Sequence, residues 1–117
     1  MNAYIMPGLD KSPYKLIEQV VCSAMGVEDI STQGRVQTSV KPRQIAMYLA
    51  RKHYKLKYTD IGKRYERDHA TAIHAFVTVR NLIECRDPDY YQLIRHIEKM
   101  LDLQKFKLHM YLNTMNT

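Results

Sequence analysis

Residues 67–75 read RDHATAIHA and place an arginine, an aspartate and a histidine side by side where an apolar, helix-forming run begins. Three neighbours of these types suit three kinds of chemistry. They could move protons in catalysis, bind a metal ion, or form hydrogen bonds at the exposed end of a helix. The surrounding sequence helps to distinguish these possibilities.

The spacing of candidate partners argues against a catalytic or metal site. No serine lies near this run, so a Ser/His/Asp arrangement has no local support. His74 follows His69 by five residues, about 140° around an α-helix, so the two rings do not share a face. Cys22 and Cys85 lack the paired spacing of a zinc site and are expected to be reduced thiols. We therefore expect a protein that is not an enzyme and has no metal and no cofactor.

Positive charge is concentrated in the middle of the chain, which carries a net charge of +6 overall. Residues 35–80 contain eleven Lys and Arg residues and three Asp and Glu residues, and eleven minus three gives +8. An excess of this kind indicates a polyanionic partner such as a nucleic acid. A solvated charged face is the alternative, and the charge pattern alone leaves it open.

Other classes of partner have less support in the 117 residues, which fit one domain. No apolar run approaches the roughly 20 residues of a membrane span. The N-terminal MNAYIMPGLDKS lacks the charged head and long apolar stretch of a secretory signal. We expect a cytoplasmic protein with no membrane partner and no small-molecule substrate.

Apolar side chains at three- and four-residue spacing predict an all-α protein, and no alternating, strand-like run exceeds four residues. Buried side chains expected in the fourth helix are Ile73, Phe76, Val77 and either Leu82 or Ile83, with His74 beside them as a hydrogen-bonded core histidine. Start and stop signals predict five helices. The first begins at Pro13, after Ser12 as a cap, and ends at Gly26, and the second runs from about Lys41 to Tyr54. The third follows Thr59 as a cap to about Tyr65, the fourth runs from about Asp68 to Glu84, and the fifth follows a cap at Asp87-Pro88.

A short helix, a tight turn and a longer helix inside the basic region form the outline of a helix-turn-helix. The second helix of this motif enters the DNA major groove by its N-terminal residues, and the Arg-Asp-His run lies there. Asp68 then has two compatible roles. Its carboxylate would cap the helix by accepting from the N–H of Ala70 or Thr71, and it could accept from the amino group of cytosine. A cap without any base reading is the alternative.

Basic and aromatic residues also alternate along the basic region. Tyrosines between lysines and arginines suit single-stranded nucleic acid, whose bases stack on the rings. Packing at the edge of the core is the other explanation, and we expect it for Tyr48 and Tyr65. For Tyr58, both base stacking and packing at the edge of the core stay open.

Three sequence blocks make the comparison with a known family specific. PRQIAMYLAR (42–51), YTDIGKRY (58–65) and RDHATAIHA (67–75) occur in this order. Together they resemble the C-terminal DNA-binding domain of the bacterial chromosomal replication initiator, DnaA, over roughly residues 14–101. The resemblance implies a compact all-α domain with a central helix-turn-helix, similar to Trp repressor and the DnaA C-terminal domain. The chain then divides into an N-terminal arm (1–12), the helix-turn-helix domain (13–101) and a C-terminal helical extension or tail (102–117).

The resemblance also implies a role for each matching residue. Arg35 corresponds to an arginine that reaches into the minor groove. The implied backbone contacts are Arg43, Gln44 and Arg51, the implied contacts to thymine methyls are Tyr58 and Thr59, and the implied base-reading residues are Asp68, His69 and Ala70. Lys63, Arg67 and Thr71 complete the expected DNA-binding set. The expected partner is double-stranded DNA at sites related to those of replication origins, in the bacterial nucleoid, with other replication or regulatory proteins as further partners.

The chain departs from the family pattern in several places. Only Glu66 separates Tyr65 from Arg67, where the family usually has two small residues, often glycines. Ala70 stands where Thr or Ser is usual, and Arg35 alone remains of a basic run. No phosphate-binding G-x-x-x-x-G-K-[ST] loop occurs, so we expect no ATP hydrolysis. Two alternatives therefore stay open: a helical protein-interaction module that has lost specific DNA reading, and a repressor or competitor at initiator sites.

The C-terminal LDLQKFKLHMYL retains apolar residues beyond the region of resemblance. We expect a helical extension that packs on the body or on a second copy. A frayed tail is the alternative.

Overall fold

The computed structural model describes residues 12–30 and 40–115. Over these two ranges the backbone forms five α-helices and no strand, which confirms the predicted all-α fold class. The helices are α1 (Pro13–Met25), α2 (Val40–Tyr54), α3 (Tyr58–Arg64), α4 (His69–Glu84) and α5 (Tyr91–Met115).

Most helix boundaries follow the local signals in the sequence. Helix α1 begins at Pro13 and ends before Gly26, which adopts the left-handed conformation with φ of 69°. The predicted start of α3 is wrong. Lys57 occupies the cap position because its carbonyl accepts from the N–H of Ile61, and the helix therefore begins at Tyr58. Thr59 lies exposed within the first turn rather than at the cap.

Helix α2 is the centre of the fold and packs against α1, α3 and α4. Its residues 45–50 are all buried, since neighbours surround it on nearly every side. Helix α5 packs against α1 and α4. The largest fully buried aliphatic side chains come from all five helices and include Ile17, Val21, Ile45, Leu49, Ile61, Val79, Ile94, Ile97 and Leu101.

The buried face of α4 differs from the predicted one. Ala72, Ala75 and Val79 face the core, whereas Ile73 is 39% exposed. His74 is also exposed, with its Nε2 3.4 Å from the hydroxyl of Thr78. The prediction of Ile73 and His74 as core residues was therefore wrong. Two alanines and a valine therefore form the face of α4 that packs against its neighbouring helices.

Phe76, Val77, Leu82 and Ile83, the other side chains predicted as core in α4, are partly buried. Phe76 and Ile83 pack against the edge of the core.

The turn between α3 and α4 rests directly on Gly62. The carbonyl of Gly62 accepts from the N–H groups of Tyr65 (3.1 Å) and Arg67 (2.8 Å). A Cβ added to Gly62 would lie 2.5 Å from the carbonyl oxygen of Arg67. Glu66 takes the left-handed conformation with φ of 54°, which reverses the chain within a single residue.

Tyr65 anchors this turn to α1. Its ring is 1% exposed, and its hydroxyl donates to the carboxylate of Glu18. Arg64 donates to both oxygens of the same carboxylate, at 3.0 and 2.7 Å. Burial, reinforced by the Glu18 charge, raises the pKa of Tyr65 and keeps the hydroxyl protonated.

Helix α5 continues beyond its last fully buried residue, Leu101, without a break. Gln104, Lys105 and Leu108 remain partly buried, and the Lys105 Nζ lies 4.8 Å above the Tyr54 ring. The other face of this segment is exposed. The boundary between domain and extension at residue 101 stays a prediction.

Replacing Gly62 with alanine should destabilise the fold, because the added methyl group meets backbone that cannot rotate away. We expect a loss of about 2 kcal/mol, measured by chemical denaturation. Gly26→Ala is the matched control, since nothing lies within 4 Å of its Cβ position. This control should lose only about 1 kcal/mol of unfolding free energy, because its alanine must adopt a left-handed backbone conformation. Equal stability of the two variants would contradict the close approach at Gly62.

Candidate nucleic-acid interface

The N-terminus of α4 is capped by Asp68, the second residue of the Arg-Asp-His run. Its Oδ1 accepts from the backbone N–H of Thr71 at 3.0 Å and from the Thr71 hydroxyl at 2.9 Å. The cap therefore forms as the sequence predicted. These bonds, the backbone one foremost, lower the pKa of Asp68, so the exposed carboxylate is ionised at neutral pH.

This lowered pKa gives the cap a defined pH dependence. A carboxyl whose pKa is lower in the folded than in the unfolded protein contributes its full stability above its unfolded value of about 3.9. The contribution is lost as the pH falls through the folded pKa. The cap therefore holds across the physiological range. Both bonds go to Oδ1, so they do not engage Oδ2.

The exposed face of α4 extends further than the sequence indicated. His69, Ala70 and Thr71 are exposed in the first turn, as expected for residues that face a partner. Ile73 and His74 continue the same surface one turn later. Sequence reasoning missed both as candidate contacts. The signal that could have found them is the set of small residues at 72, 75 and 79, whose helical spacing marks the packing face.

Two of the predicted DNA-binding arginines, Arg43 and Arg67, interact electrostatically. Arg67 donates from Nη1 to the carbonyls of Tyr65 (3.1 Å) and Glu66 (3.2 Å), which braces the turn. Arg43, from the first turn of α2, is only 8% exposed. Burial lowers the pKa of Arg43, and the nearby charge of Arg67 lowers it further.

Arg51 and Tyr58 are brought together in a different way. The Arg51 Nη1 donates to the carbonyl of Leu56 at 3.1 Å, and its guanidinium lies 4.5 Å above the Tyr58 ring. The Tyr58 ring packs edge-on to Phe76 at 6.3 Å. Both side chains therefore hold the connection between α2 and α3 in place. Their contacts with DNA stay predictions.

The remaining predicted residues occupy different environments. Thr59 and Lys63 are exposed on α3, and Gln44 is partly buried on α2. Arg35, the predicted minor-groove arginine, lies outside the described residues. Tyr48 and Tyr65 are both buried, at 4% and 1% exposure, as the packing interpretation predicts.

Other kinds of site have little support in the described parts of the chain. No group of three or more His, Cys, Asp and Glu side chains there could hold a metal ion. None of the described helices combines the length and apolar character needed to cross a membrane. An open groove of about 450 Å³ is present beside α1, but the carboxylate of Glu18 within it is engaged by Arg64 and Tyr65.

Comparison of the sequence with known proteins identifies its family. The sequence family described as the bacterial dnaA protein helix-turn-helix matches residues 14–79. The chromosomal replication initiator protein DnaA of Caldanaerobacter subterraneus subsp. tengcongensis is 36% identical over 89 residues, covering 74% of this chain and 20% of that protein. Its counterpart in Methylacidiphilum infernorum is 36% identical over 90 residues, with the same two shares. DnaA 1 of Chlamydia pneumoniae is 37% identical over 93 residues, covering 78% of this chain and 20% of that protein.

The chain thus spans about a fifth of the length of the curated relatives it matches. The resemblance read from the three sequence blocks is confirmed. Since the match covers more than half of the chain and includes α2, α3 and most of α4, this protein belongs to the bacterial DnaA helix-turn-helix family.

Proposed function

We propose that this protein binds double-stranded DNA in a sequence-specific manner, with the first turns of α4 in the major groove. The observation that carries the proposal is the exposed, capped tip of α4 beside the basic residues of α2 and the turn. The major groove admits one α-helix, which contacts the bases by its N-terminal residues. Helix α4 has exposed side chains at its N-terminus. The dipole of α4 also favours the negatively charged DNA backbone near the N-terminus of the helix.

Each exposed residue of the tip has a distinct chemistry for reading bases. The ionised Asp68 only accepts hydrogen bonds, so it selects a base that donates, such as cytosine. A neutral His69 ring has one donor and one acceptor nitrogen. Ala70 and Ile73 present methyl groups that suit the methyl of thymine. These residues would supply the specificity.

Basic residues would supply most of the affinity by neutralising phosphates. Arg43 and Arg67 interact electrostatically beside the tip, and Lys63 is exposed on α3. The proposed minor-groove contact of Arg35 would add a further anchor. Arg51 and Tyr58 would act mainly by fixing the loop that presents α3.

The relatives are named as chromosomal replication initiators, so the proposed site class is that of replication origins. This use would place the protein at the bacterial nucleoid, in the cytoplasm, with replication or regulatory proteins as further partners. Selection from a random duplex library tests the proposal most directly. An enriched, reproducible sequence is expected, and failure to enrich any sequence would favour the protein-interaction alternative.

The affinity for duplex DNA should fall steeply with salt. If about six phosphates are neutralised, a plot of log K against log salt concentration should have a slope of about −5. The physical reason is release of the counterions that the basic residues displace. Fluorescence anisotropy at several salt concentrations measures this slope. A slope near zero would contradict DNA binding by this surface.

Replacing Asp68 with asparagine separates capping from base reading. Asparagine caps a helix as well as aspartate does, so the melting temperature should change little. It prefers adenine to cytosine, so the preference at one base position should change by roughly tenfold. Binding to the selected duplex and to single-base variants measures this change. An unchanged base preference would leave Asp68 with only the capping role.

Lys63→Ala provides the matched control for that experiment. Its side chain is exposed on α3, so removing it should leave the fold intact. A phosphate contact carries no sequence information, so affinity for selected and scrambled duplexes should fall by the same factor. A loss confined to the selected sequence would mean that Lys63 contacts a base.

A further inference from the structure

The second half of α5 carries an apolar stripe that faces away from the body. The stripe consists of Leu103, Phe106 and Met110, which are 51%, 60% and 47% exposed. Among the described residues, Ile73, at 39%, is the only exposed large hydrophobic side chain outside α5. Contiguous exposed apolar side chains mark interaction sites, so the stripe is a candidate docking surface.

The helical geometry places this stripe opposite the buried face of α5. Each of its residues follows a fully buried residue by nine positions, since Ile94, Ile97 and Leu101 precede them in the same order. Nine residues correspond to two and a half turns, or half a rotation. A helix that docked on the stripe would therefore lie on the far side of α5 from the body.

We propose that the occupant is a second copy of this chain, which pairs with the first through a short parallel coiled coil of the two α5 stripes. Leu103 and Met110 take the a positions of a heptad, and Phe106 takes the d position. Asp102 then lies at g and Lys107 at e, on the two sides of the stripe.

The charges on the two sides favour a parallel pair. In a parallel pair, the g residue of one helix faces the e residue of the other, five positions further on. Asp102 of each copy would therefore face Lys107 of the other, which gives two ion pairs. An antiparallel pair would instead bring the two Lys107 side chains together near the symmetry axis. Such like-charge contacts are unfavourable.

The polar residues before the stripe limit the length of the coiled coil. His96 and Lys99 are exposed on the same face and would be the preceding a and d residues. The two α5 helices would diverge at these polar residues. The rest of each copy would lie on the side of its own α5 that faces away from the other copy. The pair would bury on the order of 1,000 Å² in total, near the lower limit for a specific interface. The dimer is therefore weak and depends on concentration.

An anionic membrane is a less suitable occupant of the stripe. Basic residues of an interfacial helix flank its apolar face and reach lipid headgroups. Here Lys105 lies against the Tyr54 ring on the body side of α5, at 4.8 Å. Only Lys107 borders the stripe as a cation within residues 102–110, and Asp102 borders its other side.

Sedimentation equilibrium of the full chain without DNA tests the dimer independently of the proposed function. The apparent mass should rise from 13.8 kDa towards twice that value between low-micromolar and near-millimolar concentration. Phe106→Lys should remain monomeric with an unchanged melting temperature, because its side chain is exposed. Ile73→Lys is the matched control and should still dimerise. A wild-type chain that stays monomeric, whether or not it binds anionic vesicles, would overturn the proposal, as would a dimeric Phe106→Lys variant.

The flanking charges test the parallel arrangement. Asp102→Lys and Lys107→Asp should each weaken the dimer about tenfold, because each places like charges opposite one another twice. Combining the two restores opposite charges, so the double variant should regain the wild-type association. If the double variant is weaker than either single variant, the parallel pairing is wrong. A confirmed dimer would hold two α4 tips in a two-fold arrangement, a consequence that does rest on the proposed function.

Discussion

The close backbone approach between Gly62 and the following turn is the constraint on which the helix-turn-helix depends. The Gly62 carbonyl accepts two N–H groups from the turn, and no space remains for a side chain at that position. This contact fixes the position of Asp68, which caps α4, and therefore the direction in which the first turn of α4 points. The proposed base recognition would require the side chains of α4 to be held to within a fraction of an ångström, and a rigid crossing supplies this.

The turn achieves this rigidity with little chain. Glu66 alone separates Tyr65 from Arg67, and its left-handed backbone carries about 1 kcal/mol of strain that a glycine would avoid. Strain of this size persists only where the surroundings determine the conformation. Here the buried Tyr65, bound to Glu18, holds one side, and the Arg67 guanidinium binds the two preceding carbonyls on the other. The shortened turn is therefore compatible with a firmly positioned α4.

Local interactions could be predicted from the sequence, whereas packing across helices could not. The Asp68 cap was predictable because donor and acceptor lie three residues apart. The contact face of α4 was missed, because hydrophobicity favours Ile73 as a core residue over the smaller Ala72 and Ala75 that are buried. The Arg51 contacts with Leu56 and Tyr58 likewise require the loop to fold back, which no periodicity reveals.

Charge illustrates the same difference between sequence and fold. The count of +8 covers only the acids within residues 35–80. In the fold, acidic side chains from other parts of the chain pair with bases of this region. Glu18 of α1 pairs with Arg64, and Glu98 of α5 accepts from Lys52 at 2.7 Å. The two ion pairs lie on helices other than α4 and bind α1 and α5 to the centre of the fold, so part of the charge that the sequence assigns to a partner instead stabilises the scaffold that presents α4.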